Sequence, residues 1–173
     1  MACEGALIVV DASQGVEAQT VANLYLALEH NLTLLPVINK IDLPAADIER
    51  AQEAIDEELG LDPFEAIPIS AKNGIGIENV LQGIVEKLPE PQGDPDAPLK
   101  ALVFDAIYDK FRGVILQCRI MEGTLKPRDT IHFMHAGRDF TVDEVGYNQM
   151  KLIPKTQLSA GEVGYVVAGV KSV

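Results

Sequence analysis

Asn39-Lys40-Ile41-Asp42 directly follows the apolar run 32–38, and Ser70-Ala71-Lys72 directly follows a second run, 66–69. Each motif thus falls at the C-terminal tip of an expected buried strand, where open parallel sheets hold their ligands. An ionised carboxylate such as Asp42 accepts hydrogen bonds through two oxygens and donates none. Guanine would offer it two adjacent donors, a ring N–H and an exocyclic amine, whereas adenine carries a bare acceptor at the ring position. Facing that lone pair the carboxylate would lose its partner, so discrimination on the order of 10⁴ is expected. The pattern predicts recognition of guanine rather than of nucleotides in general. The tetrapeptide alone also fits a strand-to-helix loop in which Asp42 or Asp47 caps the next helix. A Ser-Ala-Lys element behind its own strand favours the guanine reading.

The elements that must hold those tips are legible. Residues 6–10 are continuously apolar and predict a strand buried on both faces. Within 17–30, Val21, Leu24, Tyr25 and Leu28 recur at helical spacing. Residues 47–59 read as a charged amphipathic helix stopped by Gly60, and 77–88 as a last helix. Three strand–helix units joined by parallel crossovers make a partial, doubly wound α/β sheet over residues 1–88. Four prolines in residues 89–98 permit neither a helix nor a ladder, and predict a stiff, extended linker. Short strands then follow at 99–107, 114–121, 130–133, 140–145 and 163–169, with glycine turns between several of them. They predict a small all-β antiparallel barrel over residues 99–173.

Bulk properties narrow the choice of partner. Residues 1–88 carry 15 acidic and 4 basic side chains, against 11 and 10 in residues 89–173. The first half should repel a polyphosphate backbone, so any nucleic-acid contact is expected in the second. No run approaches the roughly 18 to 20 apolar residues of a membrane span, and no stable insertion is expected. Two isolated cysteines, Cys3 and Cys118, suit a reducing cytoplasm rather than a disulfide framework.

Other residues invite chemistry. Asp11, at the tip of the first strand, could serve as a catalytic carboxylate, but beside Ser13 and Gly15 it is expected to shape the strand-to-helix turn. Gly74 and Gly76 are expected to let the loop after Lys72 turn into the last helix. His132 and His135 are three apart on a strand reading and point to opposite faces, so no metal site is expected. Tyr108-Asp109-Lys110-Phe111-Arg112-Gly113 sets two cations and two aromatics on one tight turn. Lys110 and Arg112 would suit RNA phosphates, with the aromatics stacking on bases. The alternative is a polar hairpin with Tyr108 and Phe111 folded onto the barrel.

Asn-Lys-x-Asp, Ser-Ala-Lys, a proline linker and a β-barrel together resemble the translational GTPases. Ala2-Cys3-Glu4-Gly5-Ala6, the stretch Asp11-Ala12-Ser13-Gln14-Gly15-Val16-Glu17-Ala18-Gln19-Thr20, and Leu158-Ser159-Ala160-Gly161-Glu162-Val163-Gly164-Tyr165 look most like the LepA, or elongation factor 4, type. The resemblance implies a ribosome-dependent enzyme that hydrolyses GTP to GDP during translation elongation. It implies that Asn39 bonds the base and braces the pocket, and that Asp42 takes the two guanine donors. The Lys40 stem would lie along the base or ribose, Ser70 would brace the loop, the Ala71 N–H would reach the guanine carbonyl, and Lys72 would cover the opposite side. Long aliphatic stems can pack on a flat ring while their charges stay in water.

The sequence has no Gly-Lys dipeptide, hence no G-x-x-x-x-G-K-[ST] phosphate loop, and no Asp-x-x-Gly before the first strand. In the resembled family those parts hold the phosphates and Mg²⁺ and position the attacking water. The chain is therefore expected to be an excised middle piece with Met1 as an added start, Mg²⁺ ligands outside it, no catalytic residue and no GTPase activity of its own. Its unpaired sheet edge is an expected aggregation risk. The resemblance also implies a cytoplasmic location, with peripheral contact to the cytoplasmic face of the membrane suggested for LepA-type proteins. Two alternatives remain: a non-catalytic ribosome- or protein-binding barrel, and another translational GTPase such as an initiation or release factor.

Overall fold

A computed structural model of the chain describes residues 2–169; Met1 and residues 170–173, including the expected added start and the end of the barrel domain, lie outside the described residues. Contacts cluster into two compact units, residues 3–90 and residues 91 onward.

The first unit is α/β. Strands β1 (Gly5–Asp11), β2 (Thr33–Asn39) and β3 (Ile67–Pro68) form a parallel sheet in the order β1-β2-β3. Helices α1 (Ala18–Glu29), α2 (Ile48–Leu59) and α3 (Ile77–Lys87) make the crossovers. Ile8 and Val10 of β1 and Ile38 of β2 point to one face, where they pack with Leu24 of α1 and Ala51 and Ile55 of α2. Val37 points to the other face and meets Val80 of α3 and Ile69. Asp47 Oδ1 accepts from Arg50 N at 3.0 Å and caps α2, while Gly60 ends it in the left-handed conformation that glycine adopts without steric cost.

Three sequence expectations are corrected here. Strand β1 is buried on one face only: Leu7 and Val9, in register with Leu35 and Val37, are 39% and 49% exposed. The cause is placement, because β1 is the edge strand and α3 packs on β2. For α1, Leu24 and Ala27 are buried but Tyr25 and Leu28 are exposed, since a helix resting on the edge strand has no sheet beneath its outer flank. The third strand is two residues long rather than four: the regular ladder covers Ile67 and Pro68, after which Ile69 N donates to Ile38 O at 2.7 Å as the chain turns into the next loop.

The second unit is all-β. Strands β4 (Lys100–Asp109), β5 (Gly113–Glu122), β7 (Thr130–Phe133), β8 (Arg138–Gln149) and β11 (Val163–Ala168) run in the order β4-β5-β11-β8-β7, with β9 (Lys151–Lys155) paired to β8. A separate pair joins β6 (Thr124–Leu125) to β10 (Leu158–Ser159). The antiparallel sheet curls around a core that includes Leu116, Ile120, Leu125, Val145, Leu158 and Val166. The segment expected as an extended linker lies on this unit. Gly123 N donates to Asp94 O at 2.8 Å and Thr124 Oγ1 to Pro95 O at 3.1 Å.

Tyr165 is fully buried, and its hydroxyl donates to Glu144 Oε1 at 2.6 Å. Burial, then the Glu144 carboxylate, pushes the phenol from 10.0 up to about 12. The unfolded chain would release this proton near pH 10, where the folded chain still holds it. Stability fully present below pH 10 should therefore decline as pH rises towards 12, at about 1.4 kcal/mol per pH unit. Urea midpoints of the β-rich unit at pH 9, 10 and 11 check this, with Tyr165→Phe expected to flatten the slope.

Candidate functional site at the sheet tips

The site is built where β2 and β3 end. Strand β2 delivers Asn39 and then turns sharply: Lys40 adopts a φ of 67°, uncommon for a residue with a side chain. Asn39 Oδ1 accepts from Lys40 N at 2.7 Å and from Ala71 N at 3.1 Å, so one side chain ties the two loops together. Ser70, fully buried, donates from Oγ to Asp42 Oδ1 at 2.6 Å and accepts from Asn73 N at 3.2 Å. A backbone bridge between Ser70 and Ile75 closes the loop. Two hydrogen bonds thus join the loops side by side, Ala71 to Asn39 across 32 positions and Ser70 to Asp42 across 28. Asp42 is half-buried beside residues 70–72 and caps no helix; that role belongs to Asp47.

The lysines behave differently. Lys72 is exposed at the loop surface. Lys40 reaches the other way, and its Nζ lies 2.5 Å from Asp11 Oδ2. Asp11 Oδ1 accepts from Ser13 N at 2.8 Å and Ser13 Oγ at 2.6 Å, which makes the turn out of β1. Lys40 first, then Ser13, holds the Asp11 carboxyl well below the usual carboxylate range against the smaller opposing push of burial. The same pairing raises Lys40. Sequence reasoning gave Asp11 the turn but missed the ion pair. The signal was the matching end of two parallel strands, whose register sets Asp11 beside Asn39. The Ala71 N–H, expected to meet a base carbonyl, is held by Asn39, so that contact requires the bond to be shared or exchanged.

The remaining candidates resolve plainly. Gly74 and Gly76 both have positive φ in the turn before α3. His132 pairs with Asp139 at 2.6 Å, whereas His135 lies in the turn after β7 rather than on the strand. Among the described residues no three His, Cys, Asp or Glu side chains converge as metal ligands. On the β4–β5 turn, the reading that folds the aromatics onto the barrel is overturned, with Tyr108 72% and Phe111 97% exposed. Asp109 Oδ1 accepts from both Phe111 N and Arg112 N at 2.8 Å, a tight cap that directs residues 110 and 111 outward. Arg112 Nη1 donates to Glu144 Oε1 at 2.7 Å, which engages its charge within the unit, while Lys110 is exposed.

The family model of the elongation factor Tu GTP binding domain matches residues 1–90, just over half of the chain and the part that carries this site. The chain belongs to that family. It is similar over its whole length to elongation factor 4 proteins. It is 79% identical over 173 residues to "Elongation factor 4 2" of Rhodopirellula baltica, covering 29% of that protein. It is 60% identical over 171 residues to elongation factor 4 of Syntrophus aciditrophicus, again covering 29% of it. The chain thus spans under a third of the length of the curated relatives it matches. The fold of translation elongation factor SelB from Methanococcus maripaludis, in its apo form, superposes with a TM-score of 0.78 at 24% identity, over 96% of this chain and 37% of that one. The two units therefore share the fold of that elongation factor, a partial α/β sheet followed by a curled β-sheet. No helix among the described residues is long and apolar enough to cross a membrane.

Proposed function

We propose that the tips of β2 and β3 recognise guanine, and that this chain is the base-reading part of a GTPase acting with the ribosome in translation elongation. Asp42 takes the ring N–H and exocyclic amine of the base. Asn39 bonds the base and joins the two loops, Ser70 orients Asp42, and Ala71 N–H reaches the base carbonyl by sharing its bond with Asn39. The stems of Lys40 and Lys72 cover the two ring faces. One observation carries the reading. The 2.6 Å bond from buried Ser70 fixes one oxygen of Asp42, and its second oxygen has no hydrogen bond among the described residues.

GTP and GDP are the ligands of the whole protein. No phosphate loop stands in the sequence and no cluster of metal ligands among the described residues, so no step involving Mg²⁺ is assigned to this chain. Without phosphate contacts, which supply most charge-assisted bonds to a nucleotide, binding should be no tighter than roughly millimolar. Isothermal titration with GTP and phosphate release with and without ribosomes test this. Weak binding without turnover is the expected result; submicromolar binding would overturn it.

A second reading treats the β-rich unit as a ribosome- or protein-contacting module, favoured by the outward Tyr108, Lys110 and Phe111. With Arg112 engaged by Glu144, the phosphate contact falls to Lys110 and the stacking to the aromatics. Lys110→Ala should lower ribosome affinity and flatten its salt dependence; an unchanged slope would remove the contact. A cytoplasmic location follows from the ribosome reading, and peripheral membrane contact rests on the family resemblance alone.

A further inference from the structure

Lys40 and Asp42 leave the same loop in opposite directions. Asp42 bonds Ser70 at the end of β3, while the Lys40 ammonium sits on Asp11 at the end of β1, with β2 between them. We propose that Asp11 is a positioning residue: by holding the Lys40 ammonium at the β1 tip it lays the lysine stem out as one wall of the base site, clear of the edge that Asp42 presents. The inference rests on the guanine reading of the site and adds to it a residue outside both motifs.

The geometry supports a held rather than a swinging lysine. Asp11 is itself fixed, since its other oxygen takes both the N–H and the hydroxyl of Ser13. Its side chain is 13% exposed, against 53% for Lys40, so the anchor is sheltered and the stem is open to a ligand. At the root of the stem, Asn39 Oδ1 holds Lys40 N while the backbone sits in the left-handed region. A lysine fixed at both ends has already lost the rotamer freedom that packing on a ring would cost it. An untethered ammonium at this tip could instead turn to Asp42 and cancel the charge that reads the base.

The test is a nuclear magnetic resonance titration of the 173-residue chain with guanosine monophosphate, read at the Asn39 and Ala71 amides. Asp11→Asn keeps an acceptor for Ser13 and removes the charge that holds Lys40. It should weaken binding by about threefold to tenfold. Lys40→Met keeps a long apolar stem without the ammonium, and in that background Asp11→Asn should have no further effect. An equal loss in both backgrounds would overturn the proposal, because it would assign Asp11 to the turn alone. So would an unchanged affinity for Asp11→Asn. Asp42→Ala separates the underlying reading: if it binds as the unaltered chain does, guanine recognition fails at this site and the role of Asp11 falls with it.

Discussion

Asparagine in place of Asp42 is expected to turn the chain from guanine towards xanthine, changing the ratio of the two affinities by on the order of 10³. The carboxylate accepts at both oxygens, which suits the two donors on the guanine edge. A carboxamide keeps one acceptor and replaces the other with an NH₂ donor. Guanine would then set its exocyclic amine against that donor, and a buried donor left unpaired is costly. Xanthine has a carbonyl where guanine has the amine and restores the match. Ser70 can still donate to the remaining oxygen, so the loop should hold its shape. Parallel titrations with guanosine and xanthosine monophosphates, on the unaltered and Asp42→Asn chains, measure the ratio directly. If both chains rank the two nucleotides alike, Asp42 does not read the base.

Gly76→Ala should cost about 2–4 kcal/mol in the α/β unit and leave the β-rich unit untouched. Gly76 starts α3 with a φ of 74°, and its missing Cβ would lie 2.5 Å from Pro68 O. A side chain there meets two penalties at once, left-handed strain of about 1–2 kcal/mol and a clash with backbone that has little room to move. Only the first unit contains α-helices among the described residues, so helical circular dichroism reports on it alone. The helical transition should move to lower urea while the β transition stays in place. Because residues 70–75 are closed by the same turn, binding of guanosine monophosphate should weaken as well. A shift below about 0.5 kcal/mol would mean that the turn adapts freely.

The sequence made the site more legible than the surfaces around it. Asn39, Asp42, Ser70 and Ala71 could be placed together because strand tips follow directly from where apolar runs end. What stayed hidden depended on neighbours. A run such as 6–10 reads the same in a central strand and at an edge, so the exposure of Leu7 and Val9 required the sheet order. Tyr25 and Leu28 fit the helical period, yet the period does not say how wide a face the sheet will cover. Strand β9 was missed because Lys151, Pro154 and Lys155 suit an edge and mask the alternation, although Pro154 sits opposite Gly146 in the ladder. The Lys40–Asp11 pair was hidden for a related reason, since it joins two strand ends that only register brings together.

The two rims of the parallel sheet are unlike. On the outer side of β3, Pro68 offers no donor and its carbonyl lies against the Gly76 turn, so that rim is closed to further pairing. Strand β1 is bordered on one side only, and Asp11 stands at its tip. Growth of the sheet is therefore one-directional, and an incoming strand would end next to the Asp11–Lys40 pair. On the guanine proposal, loops that grip the sugar and phosphates would approach from that flank, and Lys40 would divide the part that reads the base from the part that acts on its tail.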